Sequence, residues 1–289
     1  MIAAERILQT GGRATRSRTA GQRAVAARAS LANCQLCAHH CGVNRLAGER
    51  GLCHAGSAAR LFSSQVEVAD ELELVPTYAV ALSGCDLRCE FCITGAQSWN
   101  PSAGRSFNPQ ETAAHATRAL ARGARTIMIL GGEPTIHLPE VLEFVAALPD
   151  SAILVWKTNA HGSAAARELL EGMFDVWVAD YKFGNDTCAH RLAKVSNYLQ
   201  VVQENLYWAN HHSQLIVRHL LMPGHLDCCW RPIAGWLARE LPGVKVSLRS
   251  GFWPGWQSGR HPELSRTCTV TESGDALGIA QSFNLHLIE

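Results

Sequence analysis

Six short apolar segments recur along the chain after residue 76, and a stretch with helical periodicity follows each one. We expect strands over residues 78–83, 125–130, 151–156, 174–179, 214–219 and 244–248. The spacing of apolar positions between them predicts helices over residues 109–123, 137–147, 163–172, 197–209, 229–240 and 271–281, with Asn108 and His137 marking two of the helix starts. Strands that alternate with helices indicate a parallel α/β fold. The strands are continuously apolar, as expected when helices cover one face and a filled barrel interior the other.

Polar residues collect at the ends of the predicted strands. The first strand ends at SGC (83–85), the second at GGEP (131–134), the third at KTN (157–159), the fourth at DYK (180–182) and the fifth at RH (218–219). In parallel α/β folds the working residues lie at the carboxyl ends of the strands. We therefore expect these side chains to meet at one mouth.

Composition narrows the classes of protein. The chain has 289 residues, 47% of them hydrophobic, and a formal net charge of +1, which gives no global reason to expect a nucleic-acid or membrane partner. Its apolar runs are far shorter than the ~20 residues that span a bilayer. Seven of the 11 cysteines fall in two tight clusters and no signal peptide is recognised, which favours metal or cluster ligation in a reducing cytoplasm. The four scattered cysteines are each expected to be inert thiols: Cys188, Cys228, Cys229 and Cys268.

Three cysteines follow the first strand directly. Cys85, Cys89 and Cys92 form C-x3-C-x2-C, with no fourth cysteine nearby in the sequence. A closed zinc site and a fully ligated iron–sulfur cluster both take four protein ligands. Three ligands on a [4Fe–4S] cluster would leave one iron open to a substrate or cofactor. The alternative is a zinc site completed by a distant histidine.

A second cluster, Cys34, Cys37, Cys41 and Cys53, lies N-terminal to the first strand with spacing C-x2-C-x3-C-x11-C. Four cysteines make a closed site. Three close ligands and one remote ligand fit a [4Fe–4S] cluster better than the paired ligands of a zinc ribbon. Zinc stays open as an alternative, because a neighbouring histidine can replace one cysteine: His39, His40 or His54.

These motifs together resemble the radical S-adenosylmethionine (SAM) superfamily, and within it the glycyl-radical-enzyme activating branch that includes pyruvate formate-lyase activating enzyme. The resemblance rests on C-x3-C-x-Φ-C after the first strand and GGEP after the second. It extends through TNAHG (158–162), DYKFGND with KVSNY (180–186 and 194–198) and VRHLLMPGHLD (217–227). The N-terminal cysteine motif resembles a subgroup related to these activators. No insert with two ferredoxin-like cysteine runs is seen in the sequence, which departs from the larger activators.

The resemblance implies a fold, a reaction and a cofactor site. The expected fold is a partial (β/α)6 TIM-like barrel over residues 76–289, with a small cysteine-rich module over 31–75 and a helical extension over 1–30. That extension carries six Arg and one acidic residue, so its composition also resembles a transit peptide. The open iron would bind SAM, whose reductive cleavage gives a 5′-deoxyadenosyl radical that removes hydrogen from a substrate. The residues implied to bind SAM are Glu133 with the backbone of Gly131, Gly132 and Pro134 for the amine, Phe91 for the adenine, and Thr158 and Asn159 for the ribose or carboxylate.

Substrate contacts are expected from the next two strands. Asp180 and Lys182 share one strand face and could either contact SAM or substrate or form a plain ion pair. Arg218 and His219 must point to opposite faces, so at most one faces inward easily, and the resemblance favours Arg218. His219 is a second candidate, with a hydrogen-bonded core histidine as the alternative. The loop with Phe252, Trp253 and Trp256 is either a clasp that closes the barrel or a wall for the substrate.

The partners implied by the resemblance are a one-electron donor such as flavodoxin or ferredoxin and a substrate. The substrate would be the glycine loop of a large protein, as for the activators, or alternatively a peptide or a small molecule. An iron–sulfur electron carrier is the alternative from a different class. It explains the cysteines but not the polar residues at successive strand ends.

Overall fold

The computed structural model describes residues 15–289. A nine-stranded sheet forms its centre, in the order β3-β1-β2-β4-β5-β6-β7-β8-β9. The strands are β1 Arg60–Glu67, β2 Thr77–Leu82, β3 Arg105–Ser106, β4 Thr126–Gly131, β5 Leu154–Thr158, β6 Val176–Asp180, β7 Gln214–Leu220, β8 Lys245–Arg249 and β9 His286–Leu287. The helices are α1 Arg16–Ser30, α2 Ala96–Trp99, α3 Pro109–Ala121, α4 Leu138–Ala146, α5 Ala164–Leu170, α6 Asp186–Ala193, α7 Tyr198–His212, α8 Arg231–Glu240 and α9 Val270–Ser282.

The predicted fold class is confirmed. All six predicted strands form, and β2 and β4 to β9 pair in parallel. All six predicted helices form as well, within a few residues of their predicted bounds. The largest shift is at β5, which starts at Leu154 and not at residue 151, because residues 149–152 form a turn closed by the Ala152 N–H on the Pro149 carbonyl. Within residues 15–289 no helix is long and apolar enough to cross a membrane.

Alternate residues of the strands separate into two apolar layers. The inner layer fills the lower barrel and contains Leu74, Met128, Val155, Val176, Val178 and Ile216. The outer layer packs against the helices and includes large side chains such as Trp156 and Trp177. Because side chains alternate across a strand, residues of the same parity as Val155 and Ile216 face the barrel interior.

Both predicted helix starts are found, and one of them has a side-chain cap. The Asn108 side chain accepts a hydrogen bond from the Glu111 N–H, so it caps α3. His137 directly precedes α4 as predicted, but its side chain makes no capping hydrogen bond. Its Nε2 instead lies 2.8 Å from the Ser83 carbonyl, and burial lowers its pKa to about 4. This neutral imidazole therefore ties the start of α4 to the end of β2.

Several short elements were not predicted. The strands β1, β3 and β9 lie at the two sides of the sheet, and α6 has eight residues. Strand β1, which falls within the predicted 31–75 module, pairs antiparallel with β2. Residues Arg60–Glu67 therefore belong to the main sheet. Helix α1 packs against the body through Ala20, Ala24 and Ala27 and through ion pairs of Arg28 with Glu140 and Glu143. Residues 1–14 of the predicted extension lie outside the described residues.

Gly131 is required by the close approach of β4 to β2. It has a φ of +140°, and a Cβ atom there would lie 2.1 Å from the Leu82 carbonyl oxygen. We expect Gly131→Ala to lower the free energy of unfolding by about 4 kcal/mol, because the clash is with backbone of a central strand. Anaerobic urea unfolding, followed by circular dichroism, measures it.

Gly172→Ala is the matched control. Gly172 has a φ of +71° but no atom within 4 Å of a Cβ position. The control should therefore lose only about 1 kcal/mol, the cost of the left-handed backbone. Equal losses in the two variants would contradict the steric account of Gly131.

Candidate active site

The three cysteines after β2 lie on one loop at the mouth of the barrel. Cys85 and Cys89 are buried, whereas Cys92 is half-buried. Burial raises the pKa of Cys89 to about 12 and also raises that of Cys85. These thiols are therefore protonated until a metal displaces their protons. Their chemistry fits a cluster: three sulfur donors on one loop, which leave one cluster position without a protein ligand.

The GGEP segment is fixed against this loop by backbone hydrogen bonds. The Gly132 N–H donates to the Leu82 carbonyl, and the Glu133 N–H donates to the Gly84 carbonyl at 2.8 Å. A Cβ atom on Gly132 would lie 1.9 Å from the Gly84 oxygen, so only glycine permits this approach. The structure thus places the segments that follow β2 and β4 side by side.

Glu133 is buried and its carboxylate is occupied by internal hydrogen bonds. It accepts from the Thr158 hydroxyl at 2.8 Å and from the Asn159 N–H at 2.7 Å, while Thr135 donates from both its hydroxyl and its N–H. Burial, and then the nearby Asp86 carboxylate, raise the pKa of Glu133 to about 7. The predicted residues from the ends of β4 and β5 therefore meet.

Asp86 was not predicted, although it follows Cys85 directly. Its fully buried carboxylate accepts hydrogen bonds from Asn159 Nδ2 and His161 Nδ1, each at 2.7 Å. Burial opposes ionisation, but the hydrogen bonds from His161 and Asn159 lower the pKa of Asp86 below its usual value. Asn159 Nδ2 also lies 3.6 Å from the Cys85 sulfur. Asp86 therefore joins the first cysteine of the loop to the end of β5.

The four-cysteine segment packs directly against Asp86. Cys37 forms an isolated antiparallel bridge with Gly162, and the Ala38 N–H donates to the His161 carbonyl at 3.0 Å. His39 Nε2 lies 3.0 Å from the Asp86 carbonyl oxygen. Two hydrogen-bonded routes therefore connect the two cysteine loops, one through each histidine.

Three of the four thiols of the N-terminal segment are buried, Cys34, Cys37 and Cys53, and Cys41 is half-buried. Burial raises the pKa of Cys37 and that of Cys53. Gly51 leaves room for Cys41, since a Cβ atom there would lie 2.8 Å from the Cys41 sulfur.

Asp180 and Lys182 form an ion pair at the mouth, with 2.5 Å between Lys182 Nζ and the Asp180 carboxylate. Burial opposes the charge on Asp180, but Lys182 and Arg218 lower its pKa below the usual value. Lys182 also lies close enough to Cys89 to act on its pKa. Both side chains are partly exposed. The pair has Cys89 of the cysteine loop on one side and Arg218 of the barrel interior on the other.

Arg218 and His219 point in opposite directions, as predicted. Arg218 faces inward, with Nη1 3.5 Å from the Asp70 carboxylate. His219 lies on the outer face, stacked on Trp230 at 5.0 Å between ring centroids, with Nδ1 2.7 Å from the Tyr181 carbonyl. Burial lowers its pKa to about 4. His219 is therefore removed from the candidates for substrate contact: its side chain is a buried, neutral part of the outer layer.

The acidic pair Asp70–Glu71, which was not predicted, enters the barrel from the loop between β1 and β2. Lys157 Nζ lies 2.6 Å from the Asp70 carboxylate, and Ser247 and Arg249 donate to Glu71 Oε1 at 2.9 and 3.1 Å. Burial alone would raise the pKa of Glu71, but the cations Lys157 and Arg218 and the Ser247 hydroxyl lower it. Two polar atoms of this group have no hydrogen-bond partner: Glu71 Oε2 and Arg249 Nε.

The aromatic loop after β8 covers the cysteine loop. Phe252 is buried and lies 6.3 Å from Phe91 between ring centroids, while Trp256 meets Trp99 edge to face at 5.6 Å. The Gln257 N–H donates to the Glu90 carbonyl. Trp253 stays exposed. The loop therefore forms a wall over the residues around Cys89 and Cys92.

Comparisons with known proteins show which family the chain is related to. The family model of the radical SAM superfamily matches residues 80–237. An uncharacterized protein of Methanocaldococcus jannaschii is 32% identical over 267 residues, which cover 89% of this chain and 76% of that protein. The 7-carboxy-7-deazaguanine synthase of Methanothermobacter thermautotrophicus is 31% identical over 103 residues, which cover 36% of this chain and 40% of that enzyme.

A solved structure shares the fold. Streptococcus suis SuiB, in a crystal structure with its precursor peptide SuiA, superposes with a TM-score of 0.54 and 14% sequence identity over 71% of this chain. The match spans 46% of SuiB, so this chain covers about half the length of that protein. The narrower resemblance to the glycyl-radical activators stays a prediction. Because the superfamily match covers more than half of the chain and includes the loop with Cys85, Cys89 and Cys92, the protein belongs to the radical SAM superfamily.

Proposed function

We propose that this protein uses SAM to remove a hydrogen atom from a small polar substrate held in the charged barrel interior. The superfamily implies a [4Fe–4S] cluster and SAM. When bound at Cys85, Cys89 and Cys92, the cluster supplies the electron that cleaves SAM to a 5′-deoxyadenosyl radical. The chain itself binds and orients these groups and excludes water.

Residues around Cys85 have a positioning role in this proposal. Asn159 Nδ2 donates a hydrogen bond to the Asp86 carboxylate at 2.7 Å and also lies 3.6 Å from the Cys85 sulfur. Hydrogen bonds to a ligating sulfur hold its geometry and tune the potential of an iron–sulfur cluster. The hydrogen bond from the Thr158 hydroxyl to the Glu133 carboxylate stabilises the same group of residues. We retain the predicted SAM contacts for the GGEP backbone, Phe91 and Asn159.

We further propose that Cys34, Cys37, Cys41 and Cys53 bind a second [4Fe–4S] cluster that receives the electron from a flavodoxin or ferredoxin. Direct contact between the two cysteine loops supports this second proposal. Hydrogen bonds of His39 and His161 connect the N-terminal segment to Asp86, which is next to Cys85. A path of bonded and hydrogen-bonded atoms of this kind carries an electron from one cluster to the other. The aromatic wall leaves the opposite side for substrate.

The charged interior carries the substrate proposal. Lys157, Arg218 and Arg249 face Asp70 and Glu71, and one oxygen of Glu71 and one N–H of Arg249 have no partner. Buried polar atoms of this kind need a hydrogen-bonding partner. A compact molecule with both a donor and an acceptor would satisfy them. Because Glu71 is fully buried, this group suits a small substrate better than the glycine loop of an activator.

Loss of Cys92 tests the catalytic cluster. We expect Cys92→Ala, reconstituted anaerobically with iron and sulfide, to lose dithionite-driven formation of 5′-deoxyadenosine, because two thiolates do not hold a site-differentiated cluster. Cys268→Ala is the matched control, since that half-buried thiol contacts only the Leu221 carbonyl among its hydrogen-bond partners. Cleavage of SAM by Cys92→Ala at the parent rate would exclude the assignment.

Metal analysis tests the N-terminal site by itself. In the protein with Cys85, Cys89 and Cys92 all changed to Ala, we expect iron and acid-labile sulfide in the ratio of one [4Fe–4S] cluster per chain. The reason is that the four remaining ligands all lie in one segment. A zinc ion at these four cysteines would contradict the cluster, and no metal there would remove the second site altogether.

Two reductants separate electron transfer from catalysis. Cys37→Ser is expected to lose the N-terminal cluster and most of the flavodoxin-driven formation of 5′-deoxyadenosine. Dithionite-driven formation should persist, because a small reductant reaches the catalytic cluster from the mouth. Spectroscopic counting of clusters in the variant accompanies the assay. Equal activity with both reductants, after confirmed loss of the cluster, would show that this site does not transfer the electron.

Deuterium transfer identifies the substrate class. The reconstituted enzyme is incubated with SAM, dithionite and extract from cells grown in deuterated medium, divided into small-molecule, peptide and protein fractions. We expect deuterium in 5′-deoxyadenosine only with the small-molecule fraction, and less of it with Arg249→Ala. Transfer from the protein fraction would instead support a glycyl-radical activator, and transfer from the peptide fraction a peptide-modifying enzyme.

A further inference from the structure

Three cysteines predicted to be unrelated, inert thiols come together outside the site described above. Cys188 lies in the first turn of α6, and Cys228 and Cys229 lie in a π-helical turn, Leu226–Trp230, after β7. The sulfurs of Cys188 and Cys228 are 3.9 Å apart, and so are those of Cys228 and Cys229. This group of thiols is therefore made by the fold, across 40 residues of sequence.

The backbone is adapted to this approach. A Cβ atom on Gly184 would lie 2.4 Å from the Cys229 carbonyl oxygen, so only glycine lets the loop after β6 touch the π-helical turn. In that turn the N–H groups of Cys229 and Trp230 both donate to the His225 carbonyl. Single π-helical turns are frequent at functional sites.

A histidine lies beside these thiols. The imidazole of His225 has a ligand-type nitrogen within 4.8 Å of the sulfurs of Cys188 and Cys228. Its Nδ1 lies 2.9 Å from the Pro223 carbonyl and therefore carries the hydrogen, which leaves Nε2 with the lone pair. Arg191 donates to Nε2 at 3.1 Å, but also has Glu263 as an ion-pair partner at 2.6 Å. Arg191 can therefore release His225 Nε2 to a metal ion and still keep its ion pair with Glu263.

We propose that Cys188, Cys228 and His225 bind one thiophilic divalent cation, zinc by preference, with water in the fourth position. Two thiolates at the usual ~2.3 Å from a tetrahedral zinc ion are ~3.8 Å apart. The distance of 3.9 Å between the Cys188 and Cys228 sulfurs matches this value. A cubane cluster places each thiolate on a different iron and separates the sulfurs further. Two cysteines and one histidine are a known set of protein ligands for a zinc ion that keeps its fourth position for water.

Asn185 supports the site from the side. Its Nδ2 donates to the Cys188 sulfur at 3.4 Å and to the Cys228 carbonyl at 2.6 Å, so one amide holds both loops. Groups that orient ligands in this way commonly change metal affinity when removed. The bound ion would connect the loop after β6, which carries Lys182, with the loop after β7, which follows Arg218. It would thus hold together two sides of the mouth.

Zinc content tests the proposal. The full-length protein, reconstituted with iron and sulfide under anaerobic conditions and then exposed to zinc, is expected to hold one zinc per chain in addition to iron. The double variant Cys188→Ser/Cys228→Ser should lose this zinc and keep its iron, whereas Cys268→Ser should keep both. In cobalt-loaded parent protein, thiolate-to-cobalt charge-transfer bands and intense tetrahedral visible bands should report the same ligands.

Several results would overturn the site. Zinc retained in the double variant but lost from Cys37→Ser places the ion at the N-terminal cysteines. A Cys188–Cys228 disulfide found by mass spectrometry in anaerobically purified protein, without bound zinc, shows a redox pair and no metal site. If the double variant fails to fold, Asn185→Ala gives the answer with all ligands intact: we expect its zinc affinity to fall by about tenfold. Unchanged affinity in Asn185→Ala would contradict the arrangement described.

Discussion

The buried carboxylate of Asp86 is the group around which both cysteine loops are arranged. A carboxylate removed from water is costly unless hydrogen bonds and nearby positive charge replace the lost solvation. Asn159 and His161 supply those bonds from the end of β5, and His39 binds the backbone of the same residue. Because these partners come from two segments and Asp86 itself from a third, the hydrogen bonds of this one residue fix the position of all three. The loop after β2, the end of β5 and the N-terminal cysteine segment are thereby held in one arrangement.

The same requirement explains why the N-terminal segment is part of the main body. Arg45 donates to the Ile136 carbonyl and lies 3.6 Å from the Cys34 sulfur, and Cys37 pairs with Gly162. Strand β1 then continues this segment into the sheet beside β2. A metal bound by the four cysteines would accordingly sit against the catalytic loop and not on a separate module. This contact gives the proposed electron route its physical basis.

Charge in the barrel interior separates the lower, apolar half from the mouth. Leu74 packs with the inner apolar layer, whereas Asp70 and Glu71, only a few residues earlier, bind Lys157, Ser247 and Arg249. Buried charges of opposite sign are stable here because most of their hydrogen-bonding capacity is used. Two atoms of this charged group, Glu71 Oε2 and Arg249 Nε, have no hydrogen-bond partner among the described residues. They lie in the part of the barrel that we propose for the substrate.

The sequence by itself determined the parallel α/β architecture, since continuous apolar strands and periodic helices depend on local pattern. It also located Cys85, Cys89 and Cys92 and the GGEP segment. Side-chain parity put Arg218 and His219 on opposite faces, and the resemblance favoured Arg218 for the inner one. Only the tertiary structure decided which polar groups meet across the chain. Asp86 with His161, Asp70–Glu71 with Arg249, and Cys188 with Cys228 are pairs with 40 or more residues between them. No local pattern encodes such a contact, because it depends on where strands and loops cross after the sheet has closed. The orientation of His219 is a further example. Parity indicated that Arg218 and His219 could not both face the mouth easily, but only packing showed that His219 stacks on Trp230.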